Sequence, residues 1–327
     1  MRAVVLERYG GPEVLTVREI PVPVPGPEEV LIRVHATAVN RADLAQREGR
    51  YPPPGKKPRY EVPGLEASGE VEAVGERVTL FQPGDRVMAL LPQGGYAEYV
   101  AAHERLTMPI PPGMAWEAAG AVPEVFLTAF DALYNQGQAR PGSSVLVHAG
   151  ASGVGSAAIQ LAHHGQMRVI ATVGSQMKRE AARAFGADVV VNYREEPFLP
   201  VVKRVTDHRG VDVILDFVGR DYLEANVDAL AEDGTLVVIG TLSGGEGRLN
   251  LGTVLGRRLR IQGTALRSRP LERKMALVQQ FLREGWPLLA DGRVKPVIDR
   301  TYSLDQVADA HRYLASNQNI GKVVVTV

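Results

Sequence analysis

The run Val145-Leu146-Val147-His148-Ala149-Gly150-Ala151-Ser152-Gly153-Val154-Gly155 is the part of this chain best equipped for chemistry. A short apolar, β-branched stretch stops at a glycine turn, and Ser156-Ala157-Ala158-Ile159-Gln160-Leu161 reads as a helix behind it. Strand, turn and helix in that order build a pyrophosphate site. Bare backbone approaches the phosphates, and the first N–H groups of the helix point at them. Gly150 and Gly155 take the first and third places of a dinucleotide fingerprint, Ser152 the middle place, and Gly153 is an extra glycine. Any tight turn can use glycines. Position between a strand and a helix, with more β-α units downstream, is what makes this pattern read as a nucleotide site.

The end of the next strand bears on which dinucleotide is held. A carboxylate there ordinarily bonds the adenosine ribose hydroxyls and selects NAD. Here Arg168-Val169-Ile170-Ala171-Thr172-Val173 runs into Gly174-Ser175-Gln176-Met177-Lys178, with no Asp or Glu. A 2′-phosphate is repelled by a carboxylate and bound by a Lys with hydroxyl or backbone donors. Ser175 also suits a plain N-cap and Lys178 a solvated helix position. With the carboxylate missing, the segment favours NADPH.

The elements that must position these residues change character near residue 124. Before it, Pro- and Gly-rich sequence separates short strand-like runs, Val30–Val34, Gly69–Val74 and Arg86–Leu90, as in a compact, mostly β domain over 1–123. From 124 to 266, apolar strands alternate with helices: 145–149, 168–173, 188–192, 212–216, 235–240 and 259–264. Such continuous apolar strands belong to a parallel sheet covered on both faces, a doubly wound α/β fold. Residues 267–327 hold a helix near 271–284 and then short strands ending in Gly321-Lys322-Val323-Val324-Val325-Thr326-Val327. That tail is expected to rejoin the first domain, with the cleft between the domains as the ligand site.

Bulk composition narrows the field. A chain of 327 residues with 37 basic and 37 acidic side chains has no cationic excess to seek nucleic acid or acidic membranes. Cys is absent, which removes disulfides, thiolate nucleophiles and Cys-ligated zinc, and fits a reducing compartment. Charges in Met1-Arg2-Ala3-Val4-Val5-Leu6-Glu7-Arg8 sit where a signal peptide needs an apolar core, so a cytoplasmic protein is expected.

Pro63-Gly64-Leu65-Glu66-Ala67-Ser68-Gly69, followed by Gly84-Asp85-Arg86-Val87, resembles the hallmark turn of medium-chain alcohol dehydrogenases. The zinc members place a His where Leu65 stands, a Cys ligand where Asn40 stands, and a second Cys near Glu124. Asn, Leu and Glu do not make the soft, open tetrahedral site of a catalytic zinc. Asn40-Arg41-Ala42-Asp43-Leu44, Gln46-Arg47-Glu48-Gly49-Arg50-Tyr51 and Pro53-Pro54-Gly55 instead resemble the zinc-free quinone oxidoreductase (zeta-crystallin-like) family. Similarity at His148 to Leu161, Gly174 to Lys178, Leu266-Arg267-Ser268-Arg269 and Asn319-Ile320-Gly321-Lys322 points to its tumour-suppressor-inducible branch.

The resemblance implies a GroES-like catalytic domain joined to a Rossmann cofactor domain, no metal, and a set of roles. Backbone from Ala151 through Ser152, Gly153 and Val154 to Gly155, with the Ser152 hydroxyl, meets the pyrophosphate. Gly174, Ser175 and Lys178 hold the 2′-phosphate. Tyr193 packs near the adenosine end, although a strand-end Tyr is also ordinary packing. Gly240, Leu242, Leu266 and Ser268 line the nicotinamide half, Thr128 bonds its side, and Asn319 completes the rim or serves its own turn. Asn40 and Tyr51 are the polar groups expected beside the reacting carbon; the alternatives are a helix cap for Asn40 and a rim aromatic for Tyr51.

A quinone is already a strong hydride acceptor, so its reduction needs positioning, water exclusion and a hydrogen bond to the developing oxyanion. NADPH-dependent quinone reduction is therefore the leading reading. Reduction of an activated C=C bond in an enal or enoyl thioester is the second, and a non-catalytic dinucleotide- or RNA-binding protein the third. The sixth strand, Arg260-Ile261-Gln262-Gly263-Thr264, is expected at an open sheet edge, where relatives pair, implying a homodimer. The scattered His103, His163, His164 and His311 are expected as surface or packing residues, and Arg257-Arg258-Leu259-Arg260 as a solvated edge.

Overall fold

A computed structural model describes residues 1–55 and 58–327. The chain divides into two units, Met1–Leu127 with Leu266–Val327, and Thr128–Ala265. Among the described residues no helix is long and apolar enough to cross a membrane.

In the Thr128–Ala265 unit six strands form one parallel sheet: Ser144–Val147, Arg168–Val173, Val189–Asn192, Val211–Asp216, Leu230–Val238 and Arg260–Gly263. Across the sheet they lie in the order third, second, first, fourth, fifth, sixth. Chain order reverses between the first and fourth strands, the switch point at which doubly wound sheets bind ligands. The first strand is buried throughout and the second everywhere but Arg168. Leu146, Ile170, Val191, Ile214 and Leu236 fill one buried cluster with Phe198, Val201 and Val202 of a covering helix. This is the α/β architecture expected from the apolar runs.

Helix Gly153–His164 packs tightly onto the sheet because Gly155 has no side chain; a Cβ there would collide with the carbonyl oxygen of Ala149. The arginine run near the edge is not simply solvated. Arg257 donates to the carbonyls of Val227 and Leu230, Arg258 reaches Glu232 and Asp233, and Arg260 bonds Thr235 Oγ1 at 3.0 Å and the Asp233 carbonyl at 3.1 Å. These bonds clamp the edge strand to the fifth strand.

The other unit is built on a seven-stranded sheet whose long central strand, Glu29–Val39, pairs antiparallel with Glu66–Val74, Tyr99–His103 and Lys322–Thr326. Strand register decides where the polar residues fall. Val323 lies opposite Val39, which brings Lys322 level with Asn40 just past the strand end. Ser68 lies opposite Ala36, so Glu66 opens its own strand at the same end. Three polar residues far apart in sequence are thereby delivered to one buried spot by apolar strands that have every reason to pair.

Candidate active site

At the end of the first parallel strand, His148 is buried, with Nδ1 2.9 Å from Thr172 Oγ1 and Nε2 2.7 Å from Asn226 Oδ1. Burial pushes its pKa down to about 4, so it is a neutral strut between strands and helix. Ala149 at φ +49° then turns the chain into the loop that carries Ala151. Ser152 caps the next helix by accepting from Gly155 N at 3.0 Å. Gly153 and Val154 are the first residues of that helix, where backbone N–H groups have no partner within the helix.

The second strand ends beside it in the same sheet. Ser175 caps helix Gln176–Ala184, accepting from Lys178 N at 3.3 Å. The cap reading of Ser175 is thus correct, and Lys178 stands partly buried in the first turn above it. Tyr193 packs over Gly174 so closely that a Cβ at 174 would collide with the phenol oxygen, while the Tyr is still 41% exposed. Gly174, Ser175, Lys178 and Tyr193 therefore form one local group. Gly240 N donates to Asp216 O at 3.2 Å, and Leu242, after it, is 67% exposed; Thr128 is partly buried. Leu266, Ser268 and Asn319 belong to the other unit. Leu266 is buried, Ser268 exposed, and the Asn319 amide serves its own turn by donating to Gly321 O at 2.7 Å.

Around Asn40 the sequence reading missed most of the polar residues that matter. Lys322 Nζ donates to Asn40 Oδ1 at 2.6 Å and to Glu66 Oε1 at 2.7 Å, with Lys322 3% and Glu66 0% exposed. Asn40 Nδ2 donates to Glu66 Oε1 at 2.9 Å and to Ala38 O at 3.3 Å. Both amide hydrogens of Asn40 are used, so it has no N–H left to donate to a substrate. Its backbone N–H donates to Asp43 Oδ2 at 2.7 Å, and Gly64 N reaches Asp43 Oδ1 at 3.2 Å. Burial pushes Asp43 up to about 6 despite those two bonds. The other Glu66 oxygen accepts from Glu124 N at 2.9 Å.

Tyr51 is held from behind by Arg267, itself 5% exposed. The guanidinium donates to Tyr51 O at 2.9 Å, Pro92 O at 2.7 Å and Gln46 Oε1 at 2.8 Å, and stands 5.0 Å from the centre of the Tyr51 ring. Gln46 in turn donates to Glu61 at 3.0 Å. The Tyr51 hydroxyl has no hydrogen-bond partner among the described residues, and burial raises its pKa, so it is an oriented donor.

These residues do not suit a catalytic zinc. Leu65 is apolar and 1% exposed, and the oxygens of Asn40 and Glu66 already hold an ammonium, whose charge repels a dication. Among the described residues no group of three or more His, Cys, Asp or Glu is arranged to hold a metal ion.

A GroES-like sheet with a doubly wound dinucleotide-type unit is the architecture of medium-chain dehydrogenases and reductases. The alcohol dehydrogenase GroES-like domain family matches residues 26–112 and the zinc-binding dehydrogenase family residues 185–325. A quinone oxidoreductase of Lama guanicoe is 35% identical over 329 residues, 99% of this chain and 97% of that protein. The Escherichia coli quinone oxidoreductase, solved in complex with NADPH, matches with a TM-score of 0.90 and 30% identity over 100% of both chains. A solved NAD-dependent alcohol dehydrogenase matches with a TM-score of 0.87 and 37% identity, also over 100% of both. The chain belongs to the quinone oxidoreductase family.

The Lys322 pair yields a stability prediction. Lys322→Met keeps the length of the side chain but leaves Glu66 buried without its cation, which costs about 3–5 kcal/mol. Chemical denaturation should show that loss; a change under about 1 kcal/mol contradicts the assigned pair.

Proposed function

We propose that this protein is an NADPH-dependent reductase of quinones. The observation that carries the reading is the Tyr51 hydroxyl, partly buried, unpartnered among the described residues and fixed by Arg267. An oriented donor with no activating base suits an acceptor whose new negative charge must be stabilised. When bound, NADPH supplies the hydride. Gly153 and Val154 N–H groups and the Ala151–Gly155 backbone hold the pyrophosphate, and Ser175 and Lys178, with Gly174 and Tyr193 beside them, hold the 2′-phosphate and adenosine end. Gly240, Leu242 and Thr128 line the nicotinamide half. Tyr51 donates to the acceptor oxygen, and Asn40 contributes indirectly, by fixing Lys322 and Glu66.

Coenzyme choice turns on residues of this chain, since the solved relatives include both an NADPH complex and an NAD-dependent enzyme. No carboxylate occurs between Gly174 and Lys178 to hold ribose hydroxyls or repel a phosphate. Lys178→Ala should weaken NADPH roughly 10–100-fold, the worth of a hydrogen bond to a charged group, and leave NADH nearly unchanged. Equal weakening of both removes Lys178 from the phosphate site. The reaction itself is tested by anaerobic NADPH oxidation against quinone and enoyl-thioester panels with products identified. Hydroquinone as the main product supports the proposal, and reduction of thioesters alone, or of neither, overturns it.

We also assign the exposed sixth strand, Arg260–Gly263, as the edge through which two copies pair. All four of its residues are exposed, and Leu251 and Leu255 in the preceding helix are 72% and 81% exposed. Light scattering at micromolar concentration should give the mass of a dimer; a monomer contradicts the assignment.

A further inference from the structure

Glu124 lies in the first turn of helix Pro123–Phe130 and is the one acid of the Asn40 cluster whose carboxyl has no ion-pair or hydrogen-bond partner among the described residues. Its neighbours can be accounted for individually. Lys322 is bonded to Glu66 and Asn40. Arg267 spends its donors on Pro92 O, Tyr51 O and Gln46. Lys274 Nζ points to Arg267 O at 3.4 Å. Asp43 and Glu66 are acids themselves, held by backbone N–H groups and by Lys322. Outside the helix's own ladder, Glu124 is engaged through its backbone N–H, which goes to Glu66. A carboxylate in that place would face two others across little water, so the neutral acid is favoured.

We propose that Glu124 is the proton donor of the reaction, a carboxylic acid that protonates the anion left on the acceptor after hydride transfer. This rests on the function proposed above. The acceptor takes the hydride and its two electrons from NADPH, which is oxidised to NADP+. The O–H bond of Glu124 breaks, its proton joins the acceptor anion, and the carboxylate recovers a proton from water. Tyr51 is left to hold the acceptor, because a phenol raised above its ordinary range stays protonated, able to donate a hydrogen bond but a poor acid. Burial first, and the charge of Glu66 next, push Glu124 up to about 8, which keeps the acid loaded at neutral pH.

Glu124→Gln keeps the size of the side chain and removes the acidic proton. We expect kcat to fall roughly 100-fold, as for loss of a general acid, with the acceptor KM little changed. The wild-type decline in kcat as pH rises through about 8 should disappear. A second readout needs no turnover. A carboxyl raised from 4.5 to about 8 stabilises the fold below its unfolded value, and that contribution is lost as pH rises through about 8. Asp43, raised only to about 6, has finished losing its share before then. Wild-type unfolding free energy should therefore fall between about pH 7 and about pH 8.5, and the Glu124→Gln protein should lack that slope. An unchanged kcat and pH profile in the variant overturns the proposal, and so does a wild-type stability that is flat over that range, even if the variant fails to fold. A wild-type protein that fails to oxidise NADPH with any quinone or enoyl thioester offered removes the proposed function, and with it the anion Glu124 would protonate.

Discussion

Lys322 lies in a pocket of oxygens, with Glu66 and Asn40 within 2.7 Å of its ammonium and almost no solvent contact. Much of the polar architecture of its unit follows from that contact. It ties the C-terminal strand to the long central strand and to the strand that Glu66 opens, through groups 282 and 256 residues apart in sequence. Because Glu66 is thereby fixed, its second oxygen can hold the backbone of Glu124 and set the start of that helix. Because Asn40 is fixed, its backbone N–H holds Asp43, which reaches on to Gly64. Apolar pairing of the strands supplies the driving force for assembly. The buried ion pair supplies registry, since a one-residue slip would strand a charge in the interior.

Parallel-sheet topology was readable from the chain because its cause is local. The inner strands are mostly apolar runs bounded by turn residues, and the tight approach of helix to strand leaves no room for a side chain at Gly155. The dinucleotide-type turn and the Gly174–Lys178 segment were legible for the same reason. The polar cluster was not. Lys322 reads as a cation at the start of a β-branched strand, and only the pairing of that strand shows what it meets. Arg267 reaches Tyr51 across 216 residues and Gln46 across 221. The sequence left Asn40 open between a cap and a substrate contact. The structure places it at the N-cap of helix Arg41–Arg47, its backbone N–H on Asp43, and adds a further task, because both of its amide hydrogens are spent on Glu66 and Ala38. A hint was available: a cation and an acid placed inside apolar strands must find one another or leave costly buried charge.

The same cluster explains how medium-chain architecture can carry a different chemistry. Where an alcohol is oxidised, a metal must stabilise an alkoxide. Here the corresponding space holds Leu65 and an ammonium already neutralised by Glu66. What remains is a phenol fixed by a guanidinium and a carboxyl group without a counter-charge, the groups to which we assign a hydrogen bond and a proton. Those are the needs of an acceptor that is already electron-poor.

Zinc binding tests this account most directly. If Lys322 fills the cation place, calorimetric titration with zinc should show no stoichiometric tight binding, and the proposed NADPH-dependent quinone reduction should be the same before and after exhaustive chelation. One tightly bound zinc per chain, with activity that disappears on chelation and returns with the metal, would contradict it.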